Sequence, residues 1–352
     1  MQIRIKHNQP CLDLKDQQAV SKAVASGSLA EGPITQTFER TVANYLQRKF
    51  AKATSSGSAA LHLALLSLGV GKGDEVIIST YACTALLNAI SYVGATPKIT
   101  DIDDSNLGMS VASAKKLLSK KTKAIIVHHT FGFPARIQSL KSLGIPIIED
   151  CAQSLGTFIG ERPAGSFGDL TICSFYATKM TACGYGGMVL TDNSKWAGII
   201  RDLSNYDQRK EYRVRYNYGL SDVLAALGLS QFGKLNSFLK HRKEIASQYI
   251  KTLNHTDFYF WQGDLNTRPN FYRFITGGTK PFPYYQKKLA GKGVQVISPL
   301  APYQLLHRYL NMDPKKYPAA ETISRFVFSL PIYPALNHST VSKICRSLNL
   351  LE

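Results

Sequence analysis

Three short apolar runs between Ile145 and Asp192 constrain this chain more than anything else in it. The segment reads IPIIEDCAQSLG and, from Gly165, GSFGDLTICSFYATKMTACGYGGMVLTD. The first run, Ile145 to Ile148, ends in Glu149 and Asp150, as a core strand of a parallel sheet does when it delivers charge to its carboxyl end. The second, Leu170 to Phe175, leads into Ala177, Thr178 and Lys179, and the chain turns through Gly184, Gly186 and Gly187 into a third, Met188 to Thr191. Three strand ends therefore converge on one place, at the edge where open α/β sheets bind ligands.

Lys179 follows Asp150 by about one crossover unit and stands beside glycines that let backbone approach a ligand closely. A lysine amine that can bond a cofactor aldehyde, paired with a carboxylate that keeps a pyridine nitrogen protonated, suits pyridoxal phosphate. A structural ion pair at a strand end fits the same spacing.

The wording of the sequence adds to the spacing. IIEDCAQSLG, GSFGD, SFYATK and GYGGMVLTD resemble the DegT/StrS family of fold type I, pyridoxal-phosphate-dependent sugar aminotransferases. So do SSGSAALHLALLSLGVGKGDEVI, VHHTFGFPA, YNYGLSDVLAALGLSQF and FSLPIYP, in the same order along nearly the whole chain. The resemblance implies an α/β fold: a large domain, residues 1–239, with a mostly parallel central sheet covered by helices on both faces, and a smaller C-terminal α+β domain, residues 240–352.

The resemblance also implies roles. Lys179 holds the cofactor and moves the proton, and Asp150 faces the ring nitrogen. Gln153 bonds the ring hydroxyl, Ser58, Ala59 and Ser174 hold the phosphate, and Asn217 reaches the phosphate in a neighbouring subunit, which implies a homodimer with shared active sites. The reaction expected is transfer of an amino group from L-glutamate to a keto sugar, nucleotide-linked, in polysaccharide, glycan or antibiotic sugar biosynthesis. One position departs from the family pattern: Cys83 stands where many members carry the aromatic that stacks on the pyridine ring. Its polarizable sulfur offers a smaller contact, and Tyr81 is the aromatic available to take over.

Local patterning supports this placement. Ser56 is a natural N-cap for a helix carrying Leu61, Leu65 and Leu68 at helical spacing and closing at Gly69. The small opening Ser56–Ala59 leaves backbone N–H groups uncovered, which makes an anion site. The nearby GVGKGDE is not a P-loop, because Lys72 is followed by Gly73 and the spacer is wrong. Helices are expected over Leu12–Ala25, from about Gln36 to Leu46, and from about Lys240 onward; strands over Glu75–Ser79, Gly94–Asp101 and Lys123–His128. Adjacent His128 and His129 resemble a metal pair, yet neighbours on a strand point to opposite faces. No metal is assigned, and one histidine is expected to face the pocket while the other packs.

Composition narrows the alternatives. No apolar run approaches the length of a membrane span, and the start, MQIRIKHNQP, lacks the apolar middle of a secretory signal. The six cysteines are scattered without a C-x-x-C pair, which suits a cytoplasmic protein with free thiols. The net charge of +18 admits nucleic acid as a partner, or an anionic small substrate. Of the basic runs, KKLLSKKTK reads as a solvated helix end, whereas RKEYRVR, Arg209 to Arg215, is a candidate for a sugar-nucleotide diphosphate. Two rivals follow. A pyridoxal-phosphate-dependent sugar dehydratase is opposed by Lys179, which is a histidine in the family's dehydratases. A non-catalytic basic protein binding nucleic acid on the same fold has no use for the Asp, Gln, Ser and Lys set.

Overall fold

A computed structural model describes residues 3–207 and 209–351. Seven strands form the central sheet: β1 (Phe50–Thr54), β2 (Glu75–Ser79), β3 (Thr96–Thr100), β4 (Thr122–His128), β5 (Ile147–Asp150), then, after the two-residue strands β6 (Phe158–Ile159) and β7 (Arg162–Pro163), β8 (Leu170–Ser174) and β9 (Gly187–Thr191). Their order is β1-β9-β8-β5-β4-β2-β3. Every neighbouring pair from β3 to β8 is parallel, whereas β9 runs against both β8 and β1. The sheet is thus mostly parallel, and β9 enters the shared edge by its beginning rather than its end.

The strand sequences explain the layering. Ile77, Ile125, Val127 and Ile147 belong to the core on one face, and Val76, Ile78, Ala124, Ile126 and Ile148 to the core on the other, all buried. A strand buried on both faces reads as a continuous apolar run, and each such side chain contributes roughly 1.5–3 kcal/mol by leaving water. Helix Gly57–Ser67 lies across β8 and β9 with most of its residues buried, capped by Ser56 as its sequence implies.

Beyond the sheet, β10 (Tyr259–Phe260), β12 (Phe274–Gly277) and β13 (Val327–Leu330) form a three-stranded antiparallel sheet, while β11 (Thr267–Arg268) joins β6 and β7. The helix expected from about Lys240 begins earlier, spanning Leu235–Leu253, because its buried stripe starts at Leu235 and continues through Phe238, Arg242, Ile245, Tyr249 and Leu253. The expected boundary between residues 239 and 240 falls inside it. Arg242 in this helix donates to the carbonyls of Phe271, Tyr272 and Ile332, at 3.0, 3.2 and 2.9 Å, fixing the segment that enters β12.

The helix Pro33–Tyr45 starts three residues before the expected Gln36, at a Pro in the first turn. Gly32 caps it without a side chain. The missing acceptor comes from Asp222, whose buried carboxylate takes the N–H groups of Gly32, Ile34 and Thr35 and the hydroxyls of Thr35 and Ser28. Among the described residues no helix is long and apolar enough to cross a membrane.

Candidate active site

The carboxyl ends of β4, β5 and β8, the start of β9 and the N-terminus of helix Gly57–Ser67 enclose a cavity of about 320 Å³. Its wall holds Ser56, Gly57, Ser58, Cys83, His128, Asp150, Gln153, Ser174 and Lys179. A larger cavity, about 540 Å³, opens between Arg136 and Asp264 and contains none of these side chains. The smaller one has the chemistry.

Register accounts for the convergence. His128 pairs with Asp150 and Asp150 with Ile172 across parallel strands, while Ser174 pairs with Gly187 across the antiparallel one. The Asp150 Oδ1 accepts from Ala152 N–H at 2.9 Å, which pins the carboxylate at the strand end. At the opposite wall a Cβ on Gly187 would stand 2.3 Å from the Ser56 carbonyl oxygen, and one on Gly57 3.1 Å from Ser174 Cβ. Only glycine lets β9 approach the helix start this closely, and that approach sets the Ser174 hydroxyl beside the opening backbone N–H groups. The resulting seat is positive at one end of the cavity, with carboxylate and amine further along.

Not every expected residue lies on this wall. Ala59 sits one step inside the helix, and its N–H bonds the Ser56 Oγ at 3.1 Å, while Gly57 lines the cavity. Asn217 is exposed, flanked in sequence by Tyr216 and Tyr218, whose rings stack on each other, and is not part of the cavity of this chain. Cys83 does line the cavity, but Tyr81 cannot replace it as a stacking ring. Tyr81 is wholly buried, edge-on to Phe131 at 5.7 Å, in the bend that follows β2. In the Arg209–Arg215 loop, Arg209, Arg213 and Arg215 converge on Asp202 at 3.8, 2.5 and 3.0 Å, so the carboxylate that pairs them lies within the chain.

The two histidines part as strand geometry requires. His128 faces the cavity, bonded to the Thr130 hydroxyl and the Gln153 side chain, and burial holds its imidazole below the ordinary range and therefore neutral at pH 7. His129 points the other way. Its Nδ1 accepts from Ala135 N–H, so its Nε2–H donates to Glu149 at 2.8 Å. Glu149 also accepts from the N–H groups of Gly165, Phe167 and Gly168. Burial alone would raise this carboxyl; the His129 bond and the backbone donors outweigh it and keep it below the usual carboxylate range. Sequence reading placed Glu149 at the ligand edge, whereas it braces the GSFG turn behind β8. The Gln153 Oε1 accepts from Phe131 N–H at 2.8 Å, which leaves its amide N–H groups for the cavity side.

Comparison with known proteins agrees with this geometry. Residues 10–349 match the model of the DegT/DnrJ/EryC1/StrS aminotransferase family. The GDP-perosamine synthases of Escherichia coli O157:H7 and Vibrio cholerae are 31% and 30% identical, over 97% of this chain and 96% and 97% of theirs. The chain belongs to the DegT/DnrJ/EryC1/StrS aminotransferase family. Among solved structures, the PLP form of Spr1654 from Streptococcus pneumoniae, a candidate sugar aminotransferase, superposes with a TM-score of 0.91 at 25% identity, covering 99% of this chain and all of that one, 100%. The family's fold and the sheet order seen here are thus the same architecture.

Proposed function

We propose that this chain is a pyridoxal-phosphate-dependent aminotransferase that transfers the amino group of L-glutamate to the keto group of a nucleotide-linked sugar. The observation that carries the reading is the single cavity holding Lys179, Asp150 and an anion seat of helix N–H groups and Ser174. Its dimensions fall in the range of small-molecule sites, about 300–1,000 Å³. The donor set fits the cofactor end to end: N–H groups of Gly57 and Ser58 with the Ser58 and Ser174 hydroxyls for phosphate, Gln153 for the ring hydroxyl, Asp150 for the ring nitrogen, and Cys83 against the ring face.

Pyridoxal phosphate supplies the electron sink that makes an amino acid's α-C–H bond breakable. Lys179 would hold the cofactor through its amine and, once freed by the donor's amine, would carry the proton of the donor's α-carbon, as base and later as acid. Asp150, pinned by Ala152, would keep the ring nitrogen cationic. Gln153, its carbonyl oxygen fixed by Phe131, presents N–H to the ring oxygen, and the neutral His128 holds that amide without adding a charge.

A homodimer belongs to this reading: Asn217 is exposed, and Tyr176 and Tyr185 at the cavity are 44% and 65% exposed in the single chain, surfaces that a second copy would cover. So does a cytoplasmic location, supported by six cysteines that are all free. The test is direct. Incubation with pyridoxal phosphate, L-glutamate and a GDP- or TDP-linked keto sugar should yield 2-oxoglutarate and the amino sugar in equal amounts by mass spectrometry. Consumption of glutamate with no amine formed on any nucleotide-linked keto sugar would refute the acceptor class.

A further inference from the structure

Arg273 has no partner for its charge. Several other buried or half-buried arginines are paired: Arg48 meets Asp192, Arg215 meets Asp202, and Arg242 is tied to three carbonyls. Arg273 is half-buried, forms no ion pair and no side-chain hydrogen bond among the described residues, and its Nε is buried without an acceptor. Aromatic rings hold it instead. Its guanidinium carbon lies 5.5 Å from the centroid of the Tyr272 ring and 5.9 Å from that of Phe131. Both supports touch residues of the cavity wall from behind: Phe131 N–H fixes Gln153, and the Tyr272 ring also carries Lys179, whose Nζ lies 5.4 Å from its centroid.

These are the features of a built site. Phe131 and Phe271 both adopt left-handed backbone, φ 56° and 49°, which a bulky residue takes only when its surroundings enforce it. Asn270 fixes the approach to Arg273 by donating to the carbonyls of Gln153 and Leu155 and accepting from Tyr272 N–H. Three cations, Lys179, Arg242 and Arg273, surround Tyr272 with no carboxylate among them. Burial would raise the Tyr272 phenol; these cations and the Thr178 bond outweigh it and hold the phenol below its usual range. The charges acting on Tyr272 are positive.

We propose that Arg273 is the seat for a carboxylate of the amino-acid donor, its planar fork closing on the donor while the donor's amine meets the cofactor at Lys179. This rests on the aminotransferase reading and adds to it the residue that selects a carboxylate-bearing donor. A guanidinium matches a carboxylate bidentately, and partial desolvation between two rings strengthens the pair. The diphosphate of the acceptor is the other anion in the reaction. It is the weaker candidate, because Arg273 shares the Tyr272 ring with Lys179, while the diphosphate of a sugar nucleotide is separated from the reacting carbon by the sugar.

Glutarate, the donor's skeleton without its amine, binds without reacting and is the probe. Calorimetric titration of glutarate into the cofactor-loaded wild type, Arg273→Gln and Arg273→Lys should show affinity falling roughly 10- to 100-fold in Arg273→Gln. Arg273→Lys should fall in between, since a point charge lacks the fork. GDP titrated into the same proteins should bind unchanged, and an unaltered cofactor absorbance band shows that each variant is folded. Equal glutarate affinity in wild type and Arg273→Gln overturns the proposal, and so does a loss of GDP binding with glutarate binding intact. Should the wild type fail to transaminate, the proposed function falls, while glutarate titration still decides the role of Arg273.

Discussion

Gly187→Ala tests how the anion seat is made. The added Cβ would stand 2.3 Å from the Ser56 carbonyl oxygen, 2.4 Å from its carbon and 2.6 Å from Gly57 N, all of them backbone atoms. Non-bonded heavy atoms settle near 3.5–4.0 Å, so relief requires a displacement on the order of 1 Å. No rotamer can supply it, and the start of helix Gly57–Ser67 must move away from β9. Overpacking of this kind costs about 1–3 kcal/mol and lowers the melting temperature by a few degrees. The larger effect falls on the cofactor. A hydrogen bond near 2.9 Å does not survive such a shift, and loss of one charge-assisted bond to phosphate, about 1.5–3 kcal/mol, weakens binding roughly 10- to 100-fold. Fluorescence titration of apo protein with pyridoxal phosphate measures this, alongside thermal melts with and without cofactor. Wild-type cofactor affinity in a folded Gly187→Ala variant would refute the claim that this close approach builds the seat.

Other positions give independent tests. Glu149→Gln removes the charge from a fully buried, multiply bonded carboxylate facing His129 and should cost about 3–5 kcal/mol in chemical denaturation; near-neutral behaviour would show that the brace behind β8 is dispensable. Cys83→Phe restores a ring against the cofactor and should tighten its binding by about 0.5–1.5 kcal/mol; weaker binding would mean that Cys83 does not lie along the ring. Stability should fall on acidification. Arg308 hydrogen-bonds Glu321 and holds it at about 2, and Asp222 is held below its ordinary value because its bonds, Thr35 foremost, outweigh burial. Both carboxylates bind fewer protons folded than unfolded, so their contribution is full above the unfolded values, about 4, and is lost as pH falls through the folded ones. Denaturation midpoints of Glu321→Gln and Asp222→Asn should therefore vary less between pH 6 and pH 3 than those of the wild type, and equal slopes would contradict this.

How much of this was legible in the sequence follows from what each signal encodes. Strand β5 and helix Gly57–Ser67 were readable because continuous apolar runs and a Ser-Gly opening are local patterns with local causes. The motifs carrying Lys179, Asp150, Gln153 and Ser174 were readable for the same reason, and the structure brings all four to one cavity. Glu149 was misplaced because adjacent carboxylates at a strand end look alike until alternation assigns them to opposite faces. The part of Asp222 in capping a helix nearly two hundred residues earlier has no local signature. Arg273 was missed for a related reason: an arginine stands out by the absence of a partner, and only the three-dimensional census of carboxylates reveals that. Tyr81 failed as a substitute ring because the bend after β2 sends it into the core while Cys83, two residues on, lines the cavity.

The central claim is that Lys179 is the covalent anchor of a working aminotransferase site. The visible absorbance of protein loaded with pyridoxal phosphate, recorded before and after L-glutamate for wild type and Lys179→Ala, tests it most directly. The account predicts a lysine-bound cofactor band in the wild type that fades on adding glutamate, and no such band in a folded Lys179→Ala. A band of wild-type shape in Lys179→Ala, or a wild type that forms none with cofactor in excess, would contradict it.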